Sequence, residues 1–185
     1  MRDLSLHILD LAENSIRAGA DLVEIGFALG ADRKLTLTIR DNGCGMSEEM
    51  VNAVMSPFTT SRTTRKVGLG IPLMTQNARL AGGDVCVTSR VGEGTELKAW
   101  MFTDQIDCLP LGDVPGTLVS LICSNPLKPD FRLTCSSPEG EMVFDTREVR
   151  QALGEEISLS EPEIASWMRE SMQEDIQPIF GGVIL

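Results

Sequence analysis

The chain has 185 residues, 42% of them apolar, enough to bury a core of domain size. Lys and Arg number 16 against 27 Asp and Glu, a formal net charge of -11, which argues against nucleic acid or an anionic membrane as the main partner. There is no apolar run of about 18 residues to span a bilayer, and the acidic, amphipathic start MRDLSLHILDLAENS is unlike a signal peptide.

In chain order, residues 4–18 read as an amphipathic helix. Leu4, Ile8, Leu11, Ala12, Ser15 and Ile16 fall on one side; Asp3, His7, Asp10, Asn14 and Arg17 fall on the other. Gly19 is its stop signal. Val23, Ile25, Phe27 and Leu29 alternate, as do Leu35, Leu37 and Ile39, which predicts an antiparallel hairpin closed by residues 30–34. DNGCG at 41–45 breaks the second strand, and Ser47 is placed to cap a short helix with Glu48 and Glu49 in its first turn. Residues 56–70 read as a loop, and Pro72 sits where the first turn of a helix over 71–81 tolerates it. Gly82 and Gly83 end that helix, and strands DVCVTSR and TELKAWMF follow, joined by the Gly92–Gly94 turn. This order predicts an α+β fold, a two-layer α/β sandwich with helices on one face of a mostly antiparallel sheet.

After Asp104 four prolines punctuate the chain. TLVSLIC and DFRLTCS read as short strands, MVFD as a third, TREVRQALG as a short helix and EPEIASWMRESMQEDI as a longer one. The longer helix puts Ile164, Trp167, Met168, Met172 and Ile176 on one face. The expected organisation is a domain over 1–104 and a small α/β unit over 105–185. Five cysteines, an odd number with no CxxC pair, fit reduced thiols in a cytoplasm better than a disulfide framework, and a single His speaks against structural zinc.

Three short stretches carry chemistry. Asn14 offers an amide oxygen, a competent magnesium ligand, from a rigid helix. Asp41, directly after a strand, can accept the exocyclic amine of adenine, where guanine presents an acceptor instead. Gly68-Leu69-Gly70 opens a helix whose free amides and dipole suit phosphate oxygens. Arg62, Arg65 and Lys66 just before it concentrate positive charge in an acidic chain, as a phosphate-meeting lid would.

Taken in order, ENSIRAGA, DNGCGM, PFTT, GLGIP and GEGT resemble the nucleotide boxes of the GHKL superfamily of ATP-binding domains. That group includes histidine kinase catalytic domains, MutL, the gyrase B subunit, the large heat-shock chaperone and anti-sigma serine kinases. The resemblance covers residues 4–103 and implies a Bergerat fold with ATP and Mg2+. It implies Asn14 on the magnesium, Asp41 on the adenine amine with Thr95 nearby through water, and Gly43 and Gly45 shaping the adenine wall. Gly68, Leu69 and Gly70 would hold phosphates, with Thr59, Thr60 and Arg62 in the lid. The lid and Gly-box region look most like a histidine kinase catalytic domain, while ENSIRAGA and LTIRDNGCGM lean towards MutL.

Two departures matter. Only 13 residues precede Asn14, too few for a dimerisation helix with a phosphoacceptor histidine, and His7 is expected as a packed or polar-face structural residue. Hydrolysing members place a glutamate four residues before the magnesium-binding Asn; here that position is Asp10, the catalytic candidate. Cys44, inside the adenine turn, is expected as a small buried residue, with a redox-gating thiol as the alternative.

The expected function is a stand-alone Mg-ATP-binding regulatory protein: an ATPase or a protein kinase acting on a partner in trans. The resemblance implies a protein partner or phosphoacceptor of a bacterial redox-enzyme or signalling system. The alternatives are a non-catalytic ATP-dependent switch module and a MutL-like repair ATPase. The Trp167 stripe, if exposed, would be a docking helix or a homodimer seam.

Overall fold

Asp3 starts the first helix by accepting the Leu6 N–H at 3.0 Å, and α1 (Leu4–Arg17) runs until Gly19 turns the chain at a φ of 73°. The computed structural model describes residues 2–55, 70–154 and 157–181. The alternating segments form β1 (Leu22–Leu29) and β2 (Lys34–Asp41), closed by Gly30 N–H to the Lys34 carbonyl. Then come α2 (Glu48–Met55), α3 (Gly70–Leu80), β3 (Asp84–Arg90) and β4 (Gly94–Phe102). The last part contributes α4 (Val114–Ser124), β5 (Asp130–Ser137), β6 (Gly140–Asp145), α5 (Thr146–Leu153) and α6 (Pro162–Phe180).

The six strands form one mixed sheet in the order β3-β4-β2-β1-β5-β6. Every pairing is antiparallel except β1 with β5, which is parallel and sets Val23 beside Phe131 and Phe27 beside Cys135. Val23, Ile25, Phe27, Leu35, Leu37, Leu133 and Phe131 on the inner face are at most 2% exposed, and α1, α3, α4 and α6 close over them. Burial of this much apolar surface is the main stabilising term. Phe27 and Phe180 meet edge to face at 6.3 Å. The outer face carries Glu24, Thr36, Thr38, Arg40, Glu96 and Arg132, so the sheet has one apolar and one polar side.

The structure corrects three readings. Residues 117–123, expected as a strand, lie inside α4: Asp113 caps it at the Gly116 N–H, Pro115 occupies its first turn, and Val114, Leu118, Leu121 and Ile122 are buried at helical spacing while Ser120 faces out. His7, grouped with the polar side of α1, is fully buried, the packed outcome of the two expected: its Nε2 lies 2.9 Å from Asn77 Nδ2, so α3 covers that side. Trp167 is 52% exposed and leaves the stripe; Met168, Met172 and Ile176 form the buried face of α6. The strands at 130–137 and 140–145 and the helix at 146–153 lie where the sequence predicts them.

Candidate functional site

Asp41 ends β2 facing inward and is 9% exposed. Its Oδ2 accepts the Ser15 O–H at 2.7 Å, and its Oδ1 accepts the Gly43 N–H at 2.9 Å. Among the described residues its partners are two neutral donors, which orient the carboxylate without cancelling its charge. Asn42 points the other way: its Oδ1 accepts the Asp21 and Leu22 amides, which ties the turn to the start of β1.

The loop after Asp41 is held by backbone. Cys44 N–H donates to the Ala18 carbonyl at 2.9 Å, and Gly92 N–H donates to the Cys44 carbonyl at 2.8 Å. Gly45 has a φ of 66°, and a Cβ there would lie 1.9 Å from the Arg90 carbonyl oxygen, so only glycine fits. Register then brings Thr95 beside Asp41 and Ser89 beside Thr95, giving a row of three polar side chains across β2, β4 and β3.

These residues open on a cavity of about 390 Å³, within the range of small-molecule sites. Asn14, Asp41, Cys44, Gly45 and Thr95 line it, with Ile39, Leu97, Met46, Met50, Val54 and Ile71 as apolar walls. The mix suits a flat apolar ring whose polar edge meets Asp41. Asn14 reaches it from α1, and among the described residues no hydrogen bond occupies its side-chain amide. Cys44, expected to be buried, is exposed at the rim, because backbone bonds on both sides of the turn turn its side chain outward.

Asp10 stands one turn before Asn14, outside the cavity lining, and faces the start of α3. A Cβ on Gly70 would lie 3.3 Å from the Asp10 Cβ and 3.7 Å from its Oδ2, so the two helices approach closely here and a side chain would need Asp10 to shift slightly. The structure thus gathers Asn14, Asp41, Gly45 and Thr95 around one hollow, keeps Gly43 outside its lining as a donor to Asp41, and sets Asp10 and Gly70 at its side. Thr59, Thr60, Arg62, Gly68 and Leu69, with Arg65 and Lys66, lie outside the described residues.

Magnesium fits this donor set as an ion that keeps waters and phosphate oxygens and takes one protein oxygen. Among the described residues no cluster of three His, Cys, Asp or Glu offers an all-protein cage. His7 is no phosphate ligand: its Nε2 lies 2.9 Å from Asn77 Nδ2 on α3, and burial pushes its pKa down against the opposing pull of Asp10 and Asp3.

Sequence reasoning missed Ser15 and Ser89. Ser15 follows Asn14 directly and was assigned to the apolar side of α1, where it does sit; its role appears only once Asp41, 26 residues away, is brought above it.

Comparison with known proteins agrees with this geometry. Residues 2–105 match the family described as histidine kinase-, DNA gyrase B-, and HSP90-like ATPase. Sporulation kinase D of Bacillus subtilis is 33% identical over 91 residues, covering 49% of this chain and 18% of that protein. Histidine protein kinase DivJ of Caulobacter vibrioides is 31% identical over 102 residues, covering 51% and 17%. DNA mismatch repair protein MutL of Chloroherpeton thalassium is 44% identical over 55 residues, covering 30% and 8%. In each case the chain spans less than a fifth of the relative's length. The crystal structure of the N-terminal domain of a DNA repair protein superposes on 98% of this chain and 58% of its own, with a TM-score of 0.55 at 16% identity. That likeness concerns the fold, and it extends beyond residue 105 into the C-terminal part.

Proposed function

Because the chain belongs to the histidine kinase-, DNA gyrase B-, and HSP90-like ATPase family, we propose that it binds Mg-ATP in this hollow and acts as a regulatory ATPase or protein kinase on a partner protein in trans. The observation that carries the reading is Asp41: a nearly buried carboxylate that, among the described residues, is held by Ser15 and Gly43 and by no cation, beside Thr95 on the wall of a cavity that Asn14 also lines. Such a carboxylate accepts the adenine amine and repels the oxygen of guanine. Ile39, Leu97, Met50 and Ile71 enclose the ring, and Asn14 holds the magnesium that screens the phosphate charge. The triphosphate would run towards the start of α3, where the helix dipole and the first-turn amides from Gly70 onward suit phosphate oxygens.

Asp10 is the residue proposed for the chemical step. It accepts a proton from the attacking water or from a partner hydroxyl as the bond to the γ-phosphorus forms and the β–γ bridging bond breaks, releasing ADP. Its shorter reach than a glutamate places a bridging water between it and the nucleophile. Residues 105–185 are proposed to serve the partner, in a cytoplasmic signalling or redox-enzyme setting.

The experiment is a phosphorylation assay on whatever the purified chain captures in a pull-down with and without Mg-ATP. Label transfer or phosphate release that Asp10→Asn abolishes supports the enzyme reading. ATP-dependent capture with no turnover selects the alternative, a switch module. Tight, salt-sensitive DNA binding at low salt would instead select a MutL-like role.

A further inference from the structure

Ser89 lies outside the cavity yet touches three groups that shape it. Its Oγ accepts the Met46 N–H at 2.8 Å, lies 2.9 Å from the Gly94 carbonyl oxygen, and lies 2.9 Å from the Thr95 Oγ1. A serine hydroxyl has one hydrogen and two lone pairs. The Met46 amide can only donate and the Gly94 carbonyl can only accept. One assignment satisfies all three contacts: Ser89 donates to Gly94, and Thr95 donates to Ser89.

That assignment uses up the Thr95 hydrogen. Towards the cavity Thr95 then offers lone pairs alone, next to Asp41, which as a carboxylate also offers only lone pairs. We propose that Ser89 is a positioning residue that fixes Thr95 as an acceptor and thereby sets the preference of the cavity for a 6-amino over a 6-oxo purine. The inference rests on the nucleotide reading above and assigns its base selectivity to a residue that does not touch the base. A 6-amino group, or a water donating to both Thr95 and the purine N1, matches an all-acceptor wall. A 6-oxo purine brings its own acceptor and leaves it unpaired.

Ser89→Ala releases the Thr95 hydroxyl to rotate and donate into the cavity. The test is calorimetric competition between Mg-ATP and Mg-ITP on the full chain; ITP exchanges the 6-amino donor for an oxo acceptor, and the N1 acceptor for an N1–H, without adding the 2-amino group of GTP. The wild type should favour ATP. S89A should lower the ATP-to-ITP affinity ratio about three- to tenfold, mainly by improving ITP, whereas Ser89→Thr, which keeps the hydroxyl, should preserve the ratio. Thr95→Val, deleting the acceptor from the other side, should lower it too, and keeps the test decisive if S89A does not fold. An unchanged ratio in S89A, or equal weakening of both nucleotides, would make Ser89 merely structural and overturn the proposal. A wild type that binds ATP and ITP alike would overturn it, and the role of Asp41 in reading the base with it, while leaving nucleotide binding in this hollow intact; one that binds neither would remove the nucleotide reading first.

Discussion

At the β3–β4–β2 edge of the sheet the buried carboxylate is Asp41, held by a hydroxyl and a backbone amide. At the β5–β6 edge the carboxylates are Asp130 and Asp145, and there the partners are arginines: Arg150 Nε on Asp130 at 3.0 Å, and Arg147 gripping both oxygens of Asp145. Arg147 and the Asp145 cap of α5 also hold that carboxyl below its usual range, chiefly through the arginine's own hydrogen bonds. A guanidinium neutralises a carboxylate and closes its lone pairs; a serine orients it and leaves charge and lone pairs for a ligand. One end of a single sheet is thus finished as structure, the other left open for chemistry.

Substitutions at the two ends should separate stability from binding. Phe180→Ala at the closed end removes the edge-to-face partner of Phe27 and should cost about 3–5 kcal/mol in a denaturant titration, with ATP affinity of the remaining folded protein unchanged. Asp41→Asn at the open end should do the reverse, weakening ATP about a hundredfold by calorimetry with little change in melting. Gly45→Ala sharpens the contrast by failing on both counts, because its left-handed backbone and the Arg90 carbonyl resist a side chain; a loss of roughly 2 kcal/mol should accompany weaker ATP binding. Asp145→Asn should lower the melting temperature modestly and leave ATP affinity alone. If D145N weakened ATP as D41N does, the two ends would not be independent.

The smallest effect is in pH. His7 is buried between α1 and α3 with its pKa pushed below the ordinary value of 6.5. The unfolded chain therefore binds the proton more readily than the folded one. Its stability contribution is fully present above pH 6.5 and is lost as pH falls below that value towards the folded pKa. Melting followed from pH 8 down to about 5 should show this slope, and His7→Asn should flatten it.

Local chemistry was legible in the sequence. Gly19, Ser47, Pro72 and the glycines at 43, 45 and 70 speak through turn, cap and close-approach rules that need only near neighbours. What distant chain segments decide was not. The parallel seating of β5 on β1 needs the whole register, and the burial of His7 needs α3 with Asn77, 70 residues further along. Ser15 and Ser89 look like ordinary small polar residues until Asp41 and Thr95 arrive beside them. The strand misread at 117–123 failed for a different reason: the helical spacing of the buried residues, Val114, Leu118, Leu121 and Ile122, emerges only when the run is read from Val114, and the seven residues alone are too short to show it.

The most direct test is isothermal titration of the full chain with Mg-ATP, alongside Asp41→Asn. Saturable one-site binding in the wild type that collapses in D41N is the predicted result. No heat in the wild type, or undiminished binding in D41N, would contradict the assignment of this hollow to a purine triphosphate.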